Sequence, residues 1–150
     1  MSAQASPTER AALDARRERA IATLGRELPY LFQRDISYEL YTWNIWFQDP
    51  VNTFQYKSNY RLIFWTLRFH ARLFFRAIAF ELHAIWAEAP QLIQASWTVR
   101  GTPRLPWPAQ ICFSGRSSYK LDRHGRIYAH IDTWDRSPRA VLKQFLPAAR

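Results

Sequence analysis

Phe47–Phe75 reads FQDPVNTFQYKSNYRLIFWTLRFHARLFF. It opens on Asp-Pro and Asn-Thr, a turn composition, and then runs into an almost unbroken series of aromatic and aliphatic residues. From Tyr60 onward, Tyr60, Ile63, Phe64, Leu67, Ala71 and Phe74 fall at helical spacing and form one continuous apolar stripe. A second stripe, Leu62, Trp65, Phe69 and Leu73, lies beside it. Arg61, Arg68 and Arg72 take the remaining face, Arg76 follows, and no acid lies between Asp49 and Glu81. A membrane span needs about 20 apolar residues with few charges; this run is shorter and carries arginines. It therefore reads as a helix buried over most of its girth, with a thin basic ridge.

Downstream the period changes from helical to alternating. Ile78, Phe80, Leu82, Ala84 and Trp86 lie on one side of a long strand, with Ala79, Glu81, His83 and Ile85 on the other. Ile93, Ala95, Trp97 and Val99 alternate with Gln94, Ser96 and Thr98. GTPRLPWP (101–108) is a proline-rich connection, AQICFSGRSSYKL (109–121) alternates again, Asp122–Gly125 turns, and GRIYAHIDTWD (125–135) closes the series. Four period-2 runs predict a curved antiparallel sheet.

Upstream, residues 1–7 read as a disordered start. A helix capped by Thr8 is expected to about Leu24, with Gly25 interrupting it and Pro29 opening a second short helix to Asp35. SYELYTWNIWF (37–47) leans toward strand. A short helix is expected within Ser137–Leu146. The organisation is one domain over residues 8–136 with a tail over 137–150. Helices followed by strands predict an α+β domain, with the helices on one face of a bent sheet and a concavity between them.

The 150 residues are enough for a real core without disulfides or metals. Seven Trp, seven Tyr and ten Phe raise the expectation of an aromatic-lined pocket as well as of a wide core. One cysteine, Cys112, excludes an internal disulfide, and no Cys/His spacing resembles a zinc site. Residues 1–20 contain no apolar stretch of the secretory kind, so a reducing, cytoplasmic setting is expected. The four glycines are too scattered for a phosphate-binding loop. The net charge of +9 comes almost wholly from arginine and favours anionic partners.

The fragments RDISYELYTWNIWFQDPVNTFQYKSNYRLIFWTLRFHARLFFRA, SWTVRGTPRLPWPA and SSYKLDRHGRIYAHID, within Leu28–Trp134, carry a family resemblance. The order of elements resembles the cone-shaped fold of nuclear-transport-factor-like proteins, a superfamily that also holds SnoaL-like polyketide cyclases and ketosteroid isomerases. The fragments themselves resemble an uncharacterised domain-of-unknown-function family (number 2358) of cyanobacteria and plastid-bearing organisms. The resemblance implies N-terminal helices packed in a curved antiparallel sheet of about four to six strands. It implies no established activity.

In enzymes of this fold an Asp, Glu, His or Tyr inside the cone moves a proton, its pKa tuned by an apolar wall. Asp49, His70, His83, His130, Asp132, Asp135, Tyr38, Tyr119 and Tyr128 are the candidates of that kind. Tyr128, His130, Asp132 and Trp134 share one strand face at period 2, as an acid–base row or as an ordinary solvated face. His70 stands near the inner stripe of the long helix, as a polar group in the cone or as a core histidine. Asp49 precedes Pro50, where an Asx-turn is the ordinary role; His83 reads as an exposed partner of Glu81. His70, His130 and Asp132 are the catalytic candidates. Tyr38, Trp46, Phe64, Trp65, Trp97, Tyr119, Tyr128 and Trp134 are the expected ligand-pocket residues, and Arg61, Arg68, Arg72 and Arg76 the basic ridge.

Three functions follow. The favoured one is a non-catalytic binding protein that holds a hydrophobic small molecule or pigment, or docks a protein or anionic-lipid partner through the ridge. The alternative is an isomerase, cyclase or dehydratase using His and Asp as acid–base groups. Binding of RNA or another single strand ranks last, since the charge is spread along elements whose other faces are buried. No cofactor is called for, and a homodimer through the open sheet is expected.

Overall fold

The computed structural model describes residues 4–147. Its first helix, α1 (Pro7–Glu27), starts one residue earlier than the sequence suggests. Ser6, not Thr8, caps it: the Ser6 hydroxyl accepts from the Glu9 N–H, and the Glu9 carboxylate accepts from the Ser6 N–H. This reciprocal pair forms only at Ser-x-x-Glu spacing. Gly25 does not break the helix, which continues to Glu27. The expected second helix over Pro29–Asp35 reduces to a single 3-10 turn, Leu28–Tyr30. Turns at Gln33 and Arg34, whose N–H groups donate to the Tyr30 carbonyl, follow it, and the Asp35 carboxylate accepts the Ile36 N–H beyond them.

Six strands form one sheet: β1 (Tyr41–Gln48), β2 (Thr53–Gln55), β3 (Phe75–Ala89), β4 (Leu92–Pro103), β5 (Ile111–Leu121) and β6 (Ile127–Trp134), in the order β2-β1-β6-β5-β4-β3. All neighbours are antiparallel except β1 and β6, which run parallel. The chain has the α+β cone architecture. The β1–β2 hairpin turns at Asp49, whose Oδ1 accepts the N–H groups of Val51 and Asn52 at 2.7 and 2.5 Å. Thr53–Gln55 is too short for alternation to mark it as a strand.

Of the register shifts in the sheet, two change the side-chain phase at candidate residues. In β3 the register slips between Leu82 and Ala84, so His83 is the extra residue. Ile78, Phe80 and Leu82 face the core before the slip and Ile85 after it, and the expected Ala84–Trp86 continuation of that face fails. In β6 the slip falls at Tyr128, between the pairs Leu121–Ile127 and Lys120–Ala129. A bulged residue leaves the ladder and turns its side chain away.

The second helix, α2 (Lys57–Phe74), lies in the bent sheet and touches β1, β2 and β3. Tyr60, Phe64 and Ala71 of its inner stripe are buried, as the spacing predicts, but Leu67 and Phe74 of the same stripe are exposed. The second stripe is not buried: Leu62, Trp65, Phe69 and Leu73 face solvent, because the strands meet α2 on one side only. A short helix, α3 (Pro138–Lys143), begins at a Ser137 cap and docks beside β5. There Gln144 exchanges two hydrogen bonds with the Cys112 backbone. No helix among the described residues is long and apolar enough to cross a membrane.

Candidate functional site

The core between α2, the Leu28 turn and the concave face of the sheet is not fully filled. A cavity of about 140 Å³ remains. Leu28, Leu31 and Phe32 close it on one side, Ile63, Phe64 and Leu67 of α2 on another, and Phe80, Trp97 and Phe113 form the sheet wall. A hydrocarbon-lined space of similar size accommodates a single aromatic ring.

The polar end is built by β5 and β6. Pairing of Ser117 with Asp132 and of Tyr119 with His130 places all four on the concave face. Asp132 Oδ1 receives two bonds, from the Ser117 hydroxyl at 2.5 Å and from His130 Nε2 at 2.6 Å. Ser117 in turn accepts from the Trp97 indole N–H at 2.9 Å. This occupies its lone pair and commits its own proton to Asp132. His130 Nδ1 lies 2.8 Å from the Tyr60 hydroxyl. The imidazole is clamped between Tyr119, stacked at 4.4 Å, and the edge of Phe47 at 5.0 Å.

Burial pushes the Tyr60 phenol well above its usual pKa, so it keeps its proton. Donation of that proton to Nδ1 of His130 leaves Nε2–H to reach Asp132. Both imidazole nitrogens are occupied. Asp132 Oδ2 forms no hydrogen bond among the described residues, and the Asp132 side chain, 16% exposed, borders the cavity. The group offered to a guest is thus a carboxylate oxygen. His130 holds and orients it from behind.

Of the catalytic candidates, His130 and Asp132 are brought together within the cavity wall. His70 is not there: it is exposed on α2, stacked on Phe74. Three residues after Leu67 and one before Ala71, it is rotated off the inner line. Of the expected pocket residues, Phe64, Trp97, Tyr119 and Trp134 line the cavity. Tyr38 is buried in the core away from it, its hydroxyl bonded to Asp35 at 2.6 Å. Trp46 and Trp65 are exposed, on the outward sides of β1 and α2, and the β6 bulge turns Tyr128 out.

The remaining candidates have structural roles. Asp49 makes the hairpin turn at the cavity rim. Asp135 accepts the Ser114 N–H at the end of β6. His83 does not pair with Glu81. The bulge delivers it to Thr98, 2.7 Å away on the convex face, while Glu81 pairs with Arg100 at 2.9 Å. The basic ridge does not form as a unit either. Arg68 is drawn inward to Asp35 at 3.0 Å, and Arg61 stacks 4.6 Å over the Tyr38 ring. Arg72 and Arg76 stay exposed and, among the described residues, unpaired. Sequence reasoning missed Tyr60 and Ser117 as site residues. Ser117 was legible only as a small polar residue in register with Tyr119 on an otherwise apolar strand face. No three His, Cys, Asp or Glu residues converge as metal ligands among the described residues.

A bent six-stranded sheet wrapped around a helix defines a class, the NTF2-like fold that includes SnoaL-like proteins. Within that class the chain belongs to the family described as Uncharacterized conserved protein (DUF2358), whose model matches residues 18–130. No curated protein matches the sequence significantly. Among solved structures, an NTF2-like protein with a cystatin-like fold from Novosphingobium aromaticivorans superposes with a TM-score of 0.57 at 13% identity, covering 97% of this chain and 99% of that one. A phenazine biosynthesis-related protein from Pseudomonas aeruginosa gives 0.58 at 13% identity, covering 92% and 94%. A candidate isomerase of the SnoaL-like family from Agrobacterium tumefaciens gives 0.52 at 14% identity, covering 79% and 99%. At these identities the likeness is one of fold.

Proposed function

We propose that the protein is a small-molecule binding protein, taking a compact, largely apolar guest of about one ring into its cone. One hydrogen-bond donor of the guest docks on Asp132 Oδ2. The observation that carries this reading is that free carboxylate oxygen, held by Ser117 and His130 at the polar end of an apolar cavity. Asp132 stands beside Trp97, Phe113 and Trp134 in the cavity lining, so an apolar guest that covered Oδ2 would leave it desolvated and unsatisfied, whereas a donor-bearing guest would not. Phenol and toluene, nearly equal in shape, separate the contributions. Phenol is expected to bind more tightly, and D132N to remove that preference. Failure of both probes to shift the indole NMR signals of Trp97 and Trp134 sinks the proposal.

A second reading has its own observation. The Tyr60–His130–Asp132 chain is arranged to orient and steady a proton-accepting carboxylate in a low-dielectric site, as acid–base catalysis requires. Such a site abstracts a proton from carbon beside a carbonyl and returns it to a neighbouring carbon, with no redox change. Deuterium exchange from D2O into the α-carbons of cyclohexanone tests this. Acceleration by the native protein that D132N abolishes supports the enzyme. Exchange at the buffer rate, with phenol binding intact, leaves the binding protein alone.

A further inference from the structure

The outer face of α2 is apolar where a solvent face should be polar. Leu62, Trp65, Phe69 and Leu73 are 58%, 54%, 47% and 53% exposed. They recur at spacings of three and four residues, so they form one ridge about 16 Å long. Trp65 and Phe69 stack face to face, 5.3 Å apart and 9° from parallel, which makes a flat aromatic plate. Scattered apolar residues on a surface need no explanation; a contiguous stripe marks a surface that is covered.

A second, independent feature adjoins it. Arg72 and Arg76, at the end of α2 and the start of β3, line one open groove together with Arg104 after β4. The Arg104 N–H is fixed to the Phe74 carbonyl at 2.7 Å, which holds the three cations on the same corner. None of the three forms an ion pair among the described residues. Three unneutralised guanidiniums around one groove require an anionic counterpart. Arg72 is three residues after Phe69, so the groove continues the apolar ridge.

We infer that this face docks on an anionic phospholipid surface. Trp, Phe and Leu on one face with arginines at its margin are the makings of a helix that lies in the headgroup boundary, its aromatics inserted and its cations on lipid phosphates. The charge decides against the other occupants. A second copy would bring Arg72, Arg76 and Arg104 against the same groove or across a ridge that carries no acid. A neutral protein surface would bury the aromatics and leave the arginines unpaired. The docking is peripheral, as no described helix spans a bilayer. It is distinct from guest binding in the cone and stands without it.

Flotation of the full chain with phosphatidylcholine vesicles, alone or with about one-third phosphatidylserine, tests the inference. Binding is expected on the anionic vesicles only, with a blue shift of tryptophan emission and a steep fall with added salt. W65S/F69S should abolish the shift, and R72Q/R76Q/R104Q should weaken binding about a hundredfold. All five positions are on the surface, so an unchanged thermal midpoint and far-UV circular dichroism spectrum serve as the folding control. The inference is overturned if anionic vesicles do not bind, or if they bind W65S/F69S equally well. It is also overturned if Trp65 is instead buried by self-association or by an acidic protein, or if inorganic phosphate occupies the groove while vesicles stay free.

Discussion

The Tyr60 hydroxyl and His130 Nδ1 meet at 2.8 Å, joining the first turn of α2 to the middle of β6 across a wholly buried core. With the Tyr60 proton on this bond, Nε2–H is left for Asp132, which lines the cavity. A helix residue thereby controls the chemistry of a strand residue 70 positions away.

Tyr60→Phe removes the donor and leaves Nδ1 buried without a partner. An unsatisfied buried acceptor costs about 1–3 kcal/mol, which lowers the melting temperature by about 2–4 °C per kcal/mol in a chain of this size. The diagnostic readout is the imidazole 15N spectrum. Native protein should show a single neutral tautomer protonated at Nε2, and the variant a mixture. An unchanged spectrum would contradict the proton assignment made above.

Alkaline pH should unfold the protein early. Burial pushes the phenols of Tyr38, Tyr41, Tyr60 and Tyr119 upward. A group whose folded pKa is raised gives stability that is complete below its unfolded value, about 10 for tyrosine. Above that pH the unfolded chain releases protons that the folded chain retains, so stability falls. With four such groups the slope approaches about 5 kcal/mol per pH unit. Urea midpoints should be level from pH 8 to 9 and drop sharply toward pH 11. Replacing one of the four by Phe should shallow the drop by about a quarter; an unaltered slope would exclude that tyrosine.

Much of this architecture was legible in periodicity. The buried members Tyr60, Phe64 and Ala71 of the α2 stripe, the alternation of β4 and β5 and the shared face of His130 and Asp132 follow from residue spacing, because burial on one face writes a repeat into the sequence. What failed has a common cause. Apolar letters record hydrophobicity, not the partner that covers it, so Leu62, Trp65, Phe69 and Leu73 read as core although each is about half exposed among the described residues. The bulges at His83 and Tyr128 insert one residue without a compositional mark and invert the faces beyond them. The parallel β1–β6 pair and the Tyr60–His130 bond join distant segments, and local spacing carries no trace of them.

Gly115 should tolerate no side chain. A Cβ there would lie 2.5 Å from the Thr133 carbonyl oxygen and 2.5 Å from Cη2 of Trp97. The first obstacle is backbone and the second a packed indole that is bonded to Ser117. Gly115→Ala should therefore cost about 1–3 kcal/mol as an overpacked core position. It should also displace Trp97, red-shift its fluorescence and loosen the Ser117 bond to Asp132. Loss of phenol binding together with a modest fall in melting temperature is expected. If stability falls with phenol affinity intact, Trp97 and Ser117 do not support the carboxylate.

Asp132→Asn should do more than weaken binding; it should invert the preference of the cone. Ser117 and His130 both donate to Oδ1, so the asparagine carbonyl oxygen will take that position and its NH2 will replace Oδ2 at the cavity. The free acceptor becomes a free donor with little change in shape. Donor-bearing phenol should lose the hydrogen bond to a charged partner, about 10–100-fold in affinity. Benzaldehyde, which offers only an acceptor, should bind the variant more tightly than it binds the native chain, where two acceptors would face each other. Isothermal titration of both compounds against both proteins measures the crossover. Parallel loss of both affinities would mean that the carboxylate acts on the guest through charge alone, and that Oδ2 is not the docking atom.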